Sequence, residues 1–270
     1  MTTSSDLDMD SSHLAFEDSG GSGRPVILLP GAGDLRTENR FLAAMLTDAG
    51  FRTIEADLPG HGRSPIANAY GVQETGAALL GLMGELDAGP AVVVANSFAP
   101  AAVVWAATEH PDRVGAVVAI SPHFTADATP KGRAINAATS LLLRGPWAAS
   151  IWERLYRSWY KGRTPEDLEG EVAGIREMMS DPARRRAVRE TLTADRNGVA
   201  ERMTLFDKPA LIVFGAVDDH FPDPAEEAHQ VAAQLGAEVL IVDGAGHYPH
   251  VERPDVVGPA VIEFLGRLPR

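Results

Sequence analysis

Three residues that together can perform nucleophilic catalysis each follow an apolar run of the sequence. Ser97 comes just after the run Val92–Ala95, and Asp218 and then His247 follow two later runs. A histidine can take the proton of a serine hydroxyl that attacks a carbonyl, while an acid holds the imidazole in the correct tautomer. The residue types and their order therefore predict Ser97 as nucleophile, His247 as base and Asp218 as orienting acid.

The segment around Ser97 has the pattern of a sharp turn between a buried strand and a helix. Ala95 and Ala99 stand two residues before and two after the serine, and both are small enough for strand and helix to pass close together. Pro100 suits the first turn of the helix, where an N–H needs no partner. The helix N-terminus would point partial positive charge at the serine. The alternative interpretation is a serine that only caps this helix.

The rest of the sequence predicts the fold that positions these residues. Apolar runs alternate with amphipathic stretches, which indicates strands that alternate with helices. Strands are predicted at 25–29, 52–58, 91–95, 114–120, 210–214 and 238–242, with helices between them. Such alternation is typical of a mostly parallel sheet with helices on both faces. The predicted fold class is therefore α/β, with the three residues just after strand ends, where open α/β sheets place their sites.

The alternation of strands and helices stops between residues 123 and 205, where the sequence contains helix starts but no convincing strand. A connection of this length exceeds ordinary loops. We interpret 123–205 as a helical lid inserted into a core formed by 1–122 and 206–270. Residues 1–12 are polar and acidic, and we expect them to be a disordered lead-in.

Composition limits the classes of function. The chain has 270 residues, is 45% hydrophobic, contains no cysteine and carries a formal charge of −13. The lack of cysteine excludes disulfides and a thiolate nucleophile, and the acidic balance argues against nucleic acid as a partner. The N-terminus lacks the features of a secretory signal, and no apolar run is long enough to span a bilayer. We expect a cytoplasmic protein; the sequence does not indicate an oligomeric state.

Two further motifs accompany the candidate catalytic residues. Asp57–Ser64 has the pattern D-x-x-G-x-G-x-S, and Gly246–Pro254 has the pattern G-H-x-P-x-x-E-x-P. Together with the order serine, acid, histidine, these motifs resemble the α/β-hydrolase family, and the resemblance runs from about residue 25 over nearly the whole chain. It implies the α/β-hydrolase fold with a lid, and a triad of Ser97, Asp218 and His247 that works without a cofactor.

The resemblance leaves the identity of the acid open between Asp218 and two alternatives. Asp219 is an alternative to Asp218 as the acid. Asp127 is another, because some members take the acid after an earlier strand.

The oxyanion hole is implied to be formed by the backbone N–H groups of Phe98 and Ala32. Pro30 stands where the family usually has a histidine, which changes the hydrogen bonding of that loop but not its N–H donor.

Aromatic residues recur at helical spacing in the predicted lid. Trp152, Tyr156 and Trp159 would share one face, which either packs the lid onto the core or lines an apolar substrate pocket together with Phe98. No metal site is predicted, because no group of histidines or acids has the spacing of metal ligands.

The expected function is hydrolysis of a carboxylic ester, a lactone or a related acyl bond of a small hydrophobic substrate. C–C bond hydrolysis of ring-cleavage products is one alternative, because Asn96 before the serine is also found in the hydrolases that act on them. Perhydrolysis without a cofactor, which uses the same triad, is a second, and ligand binding without catalysis is a third. Epoxide hydrolysis is disfavoured, because members with that activity carry aspartate in place of Ser97.

Overall fold

The computed structural model describes residues 14–125 and 130–269, and at the centre of these residues lies a seven-stranded sheet. The strands are β1 (Phe16–Asp18), β2 (Pro25–Leu29), β3 (Arg52–Ala56), β4 (Ala91–Asn96), β5 (Val114–Ile120), β6 (Ala210–Gly215) and β7 (Glu238–Val242). Their spatial order is β1-β3-β2-β4-β5-β6-β7, and all pairs are parallel except β1 with β3. The predicted α/β class with a mostly parallel sheet is confirmed.

Helices cover both faces of the sheet. The α-helices of the described residues, including those of the insertion, are α1 (Arg40–Asp48), α2 (Val72–Glu85), α3 (Ala99–Glu109), α4 (Pro130–Leu142), α5 (Ala148–Ser158), α6 (Leu168–Ser180), α7 (Pro182–Leu192), α8 (Val199–Leu205), α9 (Pro224–Leu235), α10 (Pro249–Glu252) and α11 (Pro254–Arg267). Along β2, Val26 and Leu28 pack with residues of α1 and α11, whereas Ile27 and Leu29 pack with residues of α2, α3 and α9. Successive side chains of a strand point to opposite faces, so each face buries its own apolar cluster.

Six strands coincide with the predicted runs, whereas β1 is absent from the prediction. Its three residues pair with β3 at the edge of the sheet, and two of them are exposed. So short a strand offers too little alternation to be recognised in a sequence. The predicted disorder of 1–12 lies outside the described residues.

Helices α4 to α8 form the insertion between β5 and β6, and the described residues from 123 to 205 contain no strand. Buried side chains of α5 and α6, among them Trp152 and Ile175, pack on Tyr248 and Val251, which follow the candidate base His247. Helix α8 packs instead on α3 and α9. Among the described helices, none has both the length and the apolar character needed to cross a membrane.

Glu252, the glutamate of the second motif, connects the insertion to the loop of the candidate base. Its carboxylate accepts hydrogen bonds from the backbone N–H groups of Lys161 (3.0 Å) and Gly162 (2.6 Å) in the insertion. It also accepts one from the N–H of Gly246 (2.8 Å). The backbone N–H of His247 in turn donates to the carbonyl of Trp159 at 3.2 Å. The insertion and the histidine loop therefore hold each other in place.

The first motif orders a turn at the end of β3. The carboxylate of Asp57 is buried and accepts hydrogen bonds from the Arg36 guanidinium (2.6 Å) and the Arg63 backbone N–H (2.9 Å). Gly62 has a φ of +46°, and a Cβ there would lie 2.2 Å from the Asp57 carboxyl carbon, so only glycine fits. His61 is buried with Nδ1 3.0 Å from a backbone carbonyl. These contacts give the motif a structural role.

Candidate active site

Ser97 occupies the turn between β4 and α3. Its φ is +56°, in the left-handed region that a side chain with a Cβ rarely adopts. Two hydrogen bonds to the end of β5 hold this conformation: the Ser97 N–H donates to the Ile120 carbonyl (2.9 Å), and the Ser97 carbonyl accepts from the His123 N–H (2.8 Å). Strain of this kind collects at functional sites, where the surrounding structure enforces it.

His247 and Asp218 form a buried pair beside this serine. Nδ1 of His247 lies 2.8 Å from Oδ2 of Asp218, and both side chains are almost fully buried. Burial alone would raise the pKa of Asp218, but the charge and hydrogen bond of His247, with a further bond from the His220 N–H, lower it to about 2. The carboxyl group of Asp218 is therefore ionised at neutral pH and contacts the imidazole of His247.

The two alternative acids differ from Asp218 in position. Asp219 is exposed and pairs with the ammonium group of Lys161 at 2.6 Å, so its carboxylate belongs to the surface. Asp127 lies outside the described residues. Of the described candidates, Asp218 is the one that contacts His247.

Ser97 and His247 line the same cavity, which has a volume of about 370 Å³. Ala32 and Phe98 line it as well. The Ser97 hydroxyl makes no hydrogen bond to the described residues, and such bonds often tighten only when substrate is present. The cavity thus contains the predicted nucleophile, the predicted base and both predicted oxyanion-hole residues.

The two predicted oxyanion-hole residues, Ala32 and Phe98, both line the cavity. Neither backbone N–H donates to an acceptor among the described residues, and Phe98 precedes the first residue of α3. The loop that carries Ala32 is held by the insertion, because Nε1 of Trp152 donates to the Gly33 carbonyl at 3.0 Å. Gly33 has a φ of +90°, and a Cβ there would lie 2.1 Å from the Trp152 ring. Glycine is therefore required where the indole meets the loop.

Asn96 has a positioning role that sequence reasoning missed. Its buried side-chain amide donates to the backbone carbonyls of Ile120 (3.2 Å) and His247 (3.4 Å). It thereby joins the end of β5 to the loop of the base, directly before Ser97. The sequence signals were an amide side chain at the end of a buried strand and its place directly before Ser97, which indicated a resemblance to C–C hydrolases but not this role.

The aromatic residues of α5 and its C-terminus divide between the cavity and the packing of the insertion. Trp152 and Trp159 line the cavity, and the ring of Trp159 packs edge-on against the His247 ring at 5.9 Å. Tyr156 does not line it: its hydroxyl bonds to that of Tyr160 (2.8 Å), and its ring packs on Tyr248. Of the two roles left open for this aromatic face, the contacts of Tyr156 favour packing of the insertion onto the segment after His247.

Three histidines meet at the cavity, although no sequence spacing indicated it. His123 follows β5, His220 follows Asp218, and one ring nitrogen from each, with one from His247, lie within 4.8 Å of one another. The rings of His220 and His247 have centroids 3.9 Å apart. Burial lowers the pKa of His220 to about 3. Its ring is therefore neutral at neutral pH and adds no charge to oppose an imidazolium at His247.

Two buried acids lie behind the loop of Ala32. The carboxylate of Asp34 accepts from the Tyr248 hydroxyl (3.0 Å), and that of Glu38 accepts from the Gly31 N–H (2.9 Å). Burial, with the neighbouring Glu38, raises the pKa of Asp34 well above its usual range. Burial also raises the pKa of Glu38 to about 7, although the Gly31 hydrogen bond opposes this. Sequence reasoning missed both acids, because neither stands in a recognised motif.

The raised pKa of Glu38 predicts a pH-dependent stability. The folded state holds the proton more tightly than the unfolded chain, so this contribution is complete below the unfolded pKa of 4.5 and is lost as the pH rises through about 7. Glu38→Gln, which carries no titrating proton, should lose roughly 2 kcal/mol less free energy of unfolding than the native protein between about pH 5 and pH 8. Urea denaturation at both pH values measures this.

The exposed Glu177 offers a matched control. Glu177→Gln should follow the native dependence of the unfolding free energy on pH. An identical dependence in Glu38→Gln and the native protein would contradict the raised pKa of Glu38.

Known proteins share this fold and much of this sequence pattern. A model of the alpha/beta hydrolase family matches residues 26–260. The sequence is 27% identical to epoxide hydrolase A of Mycobacterium tuberculosis over an alignment of 310 positions that covers 96% of each protein. These matches extend over most of the chain, from β2 into α11.

Solved structures superimpose over a similar extent. A bromoperoxidase from Bacillus anthracis gives a TM-score of 0.81 at 16% identity and covers 94% of this chain and 95% of its own. A thermophilic esterase from Thermogutta terrifontis, solved with malate bound, gives a TM-score of 0.72 at 25% identity, with 94% and 93% covered. The same scaffold thus accompanies several activities, and the site must distinguish them.

Proposed function

Because the chain belongs to the alpha/beta hydrolase family, we propose that it is a serine hydrolase that cleaves a carboxylic ester, a lactone or a related acyl bond. Ser97 is the nucleophile, His247 the general base and Asp218 the acid that orients the base. The observation that carries this proposal is the buried His247–Asp218 pair, 2.8 Å apart, at the cavity lined by a strained Ser97. A serine that only caps α3 would need neither the pair nor the strain.

The reaction follows from these positions. The Ser97 hydroxyl attacks the substrate carbonyl while His247 accepts its proton, and the ionised Asp218 stabilises the imidazolium that forms. The N–H groups of Ala32 and Phe98 donate to the developing oxyanion. His247 then returns the proton to the leaving group, and a water molecule activated by the same imidazole hydrolyses the acyl-serine.

The insertion acts as the lid of this site. It supplies Trp152, Trp159, Leu155 and Leu192 to the cavity wall, so apolar surface surrounds much of the space. A cavity of about 370 Å³ is at the small end of ligand pockets. The substrate is accordingly a small molecule with an apolar part beside the scissile bond.

A panel of p-nitrophenyl esters with increasing acyl length tests the proposal. We expect release of p-nitrophenol well above the rate in buffer for short acyl chains, and a decline once the chain exceeds the cavity. A protein that is folded by circular dichroism but hydrolyses no ester of the panel would contradict it. The fold would then serve to bind a ligand.

A further inference from the structure

Arg196 is an arginine of the insertion that reaches the candidate active site without an acid partner among the described residues. It lies between α7 and α8 and lines the cavity that contains Ser97. Within the described ranges 14–125 and 130–269, its buried Nε has no hydrogen-bond partner, and its Nη1 donates to the Ala194 carbonyl at 3.3 Å. Arg36 and Arg157, by contrast, each contact two carboxylates.

Local hydrogen bonds order the backbone on either side of Arg196. The Arg196 carbonyl accepts a hydrogen bond from the Val199 N–H (3.2 Å) at the start of α8, and the Asp195 carboxylate accepts one from the Asn197 N–H (2.8 Å). The guanidinium carbon lies 5.3 Å from the centroid of the Phe98 ring. The Arg196 guanidinium therefore lies over the ring of Phe98. The backbone N–H of Phe98 is one of the two that we assign to the oxyanion hole.

The positive charge of Arg196 costs free energy unless a bound anion pairs with it. Burial lowers the pKa of Arg196 from its ordinary value, but arginine stays protonated in proteins. Among the described residues, a single carbonyl hydrogen bond and the Phe98 ring replace part of the hydration that the half-buried cation loses, and no carboxylate replaces the rest. Its planar fork of N–H donors matches the two oxygens of a carboxylate. Asp34, the acid in the same cavity, competes little, because its raised pKa favours the neutral form.

We propose that Arg196 binds a carboxylate of the substrate, so that the preferred substrate is an ester or lactone whose acyl part carries a second, anionic carboxyl group. This inference rests on the proposed hydrolase function and names its substrate class. The half-ester of a short linear dicarboxylic acid has the required groups: an ester carbonyl for Ser97 and a carboxylate for Arg196. The carboxylate is bound and takes no part in the bond changes.

A pair of substrates that differ only in this charge tests the proposal. The native protein should hydrolyse monomethyl glutarate with a kcat/KM at least about 10-fold above that for dimethyl glutarate. Arg196→Gln should lose roughly 10- to 100-fold on the half-ester, mainly through KM, and little on the diester. Arg196→Lys, which keeps the charge but not the fork, should fall between them. Arg186→Gln, an exposed change on α7, should match the native protein on both esters.

Binding of glutarate tests the carboxylate subsite at Arg196 independently of the proposed hydrolase activity. Glutarate should slow fluorophosphonate labelling of the native protein and bind it in calorimetry, whereas glutaramide should do neither and Arg196→Gln should lose both effects. Equal loss on both esters in Arg196→Gln, or no effect of glutarate on the native protein, would overturn the carboxylate subsite. Absence of labelling in native protein without any ligand would instead overturn the hydrolase function, and calorimetry with glutarate would still decide the subsite.

Discussion

Replacing Ser97 with alanine should lower kcat for ester hydrolysis by about 10⁵- to 10⁶-fold, because it removes the hydroxyl on which we propose that the acyl intermediate forms. The remaining rate should still exceed that in buffer, since the amides of Ala32 and Phe98 would still stabilise an oxyanion formed by water. The change removes one oxygen atom and keeps the Cβ, so the fold should persist. Steady-state kinetics with a short p-nitrophenyl ester, at high enzyme concentration, measures the loss.

Ser121 provides a matched control for this variant. It is buried, stands just after the neighbouring strand β5 and also has a positive φ, of +43°. It does not line the cavity. Ser121→Ala should therefore keep most of the native kcat. Comparable losses in Ser97→Ala and Ser121→Ala would show that hydrolysis depends on the packing of strand ends rather than on the Ser97 hydroxyl.

Asp218→Asn should lower kcat by about 10⁴-fold. An amide at this position would hold the imidazole of His247 in the wrong tautomer and would supply no negative charge to the imidazolium. KM should change little, because Asp218 does not line the cavity and so does not contact the substrate. The pH dependence of kcat/KM, measured beside the rate, should change with the loss of the carboxylate that faces His247.

Asp219 provides a control that separates the orienting role of Asp218 from a general effect of negative charge near His247. Asp219→Asn removes the same charge one residue away, but it breaks only a surface contact with Lys161, and such pairs contribute at most about 1 kcal/mol. Its kcat should stay near the native value. If Asp219→Asn caused the larger loss, or if Asp218→Asn were active, the acid would have to be reassigned.

Much of the fold could be predicted because strands and helices carry their own periodicity. The runs that became β2, β4 and β5 are apolar throughout because helices cover both faces, and turn residues such as Pro30-Gly31 end them. Strand ends in a parallel sheet meet at one edge, which is why three residues far apart in sequence could be assigned to one site. The edge strand β1 lacks such a signal.

The parts of the site that were missed depend on contacts between distant segments. His123, His220 and His247 approach one another because they follow the parallel strands β5, β6 and β7 at the same edge of the sheet, and no spacing in the sequence encodes that. In the sequence, Arg196 looks like an ordinary polar loop residue. The structure adds that its buried Nε has no hydrogen-bond partner among the described residues. For Tyr156, helical spacing indicated a shared face but could not say whether that face met the cavity or the insertion's core.

Intact mass after exposure to a fluorophosphonate probe tests the central claim most directly, because the probe reacts with serines activated by a histidine. The native protein should gain the mass of one adduct, with the modified peptide containing Ser97, and Ser97→Ala should gain none. No adduct on folded native protein, or an equal adduct on Ser97→Ala, would contradict the assignment of Ser97 as the nucleophile.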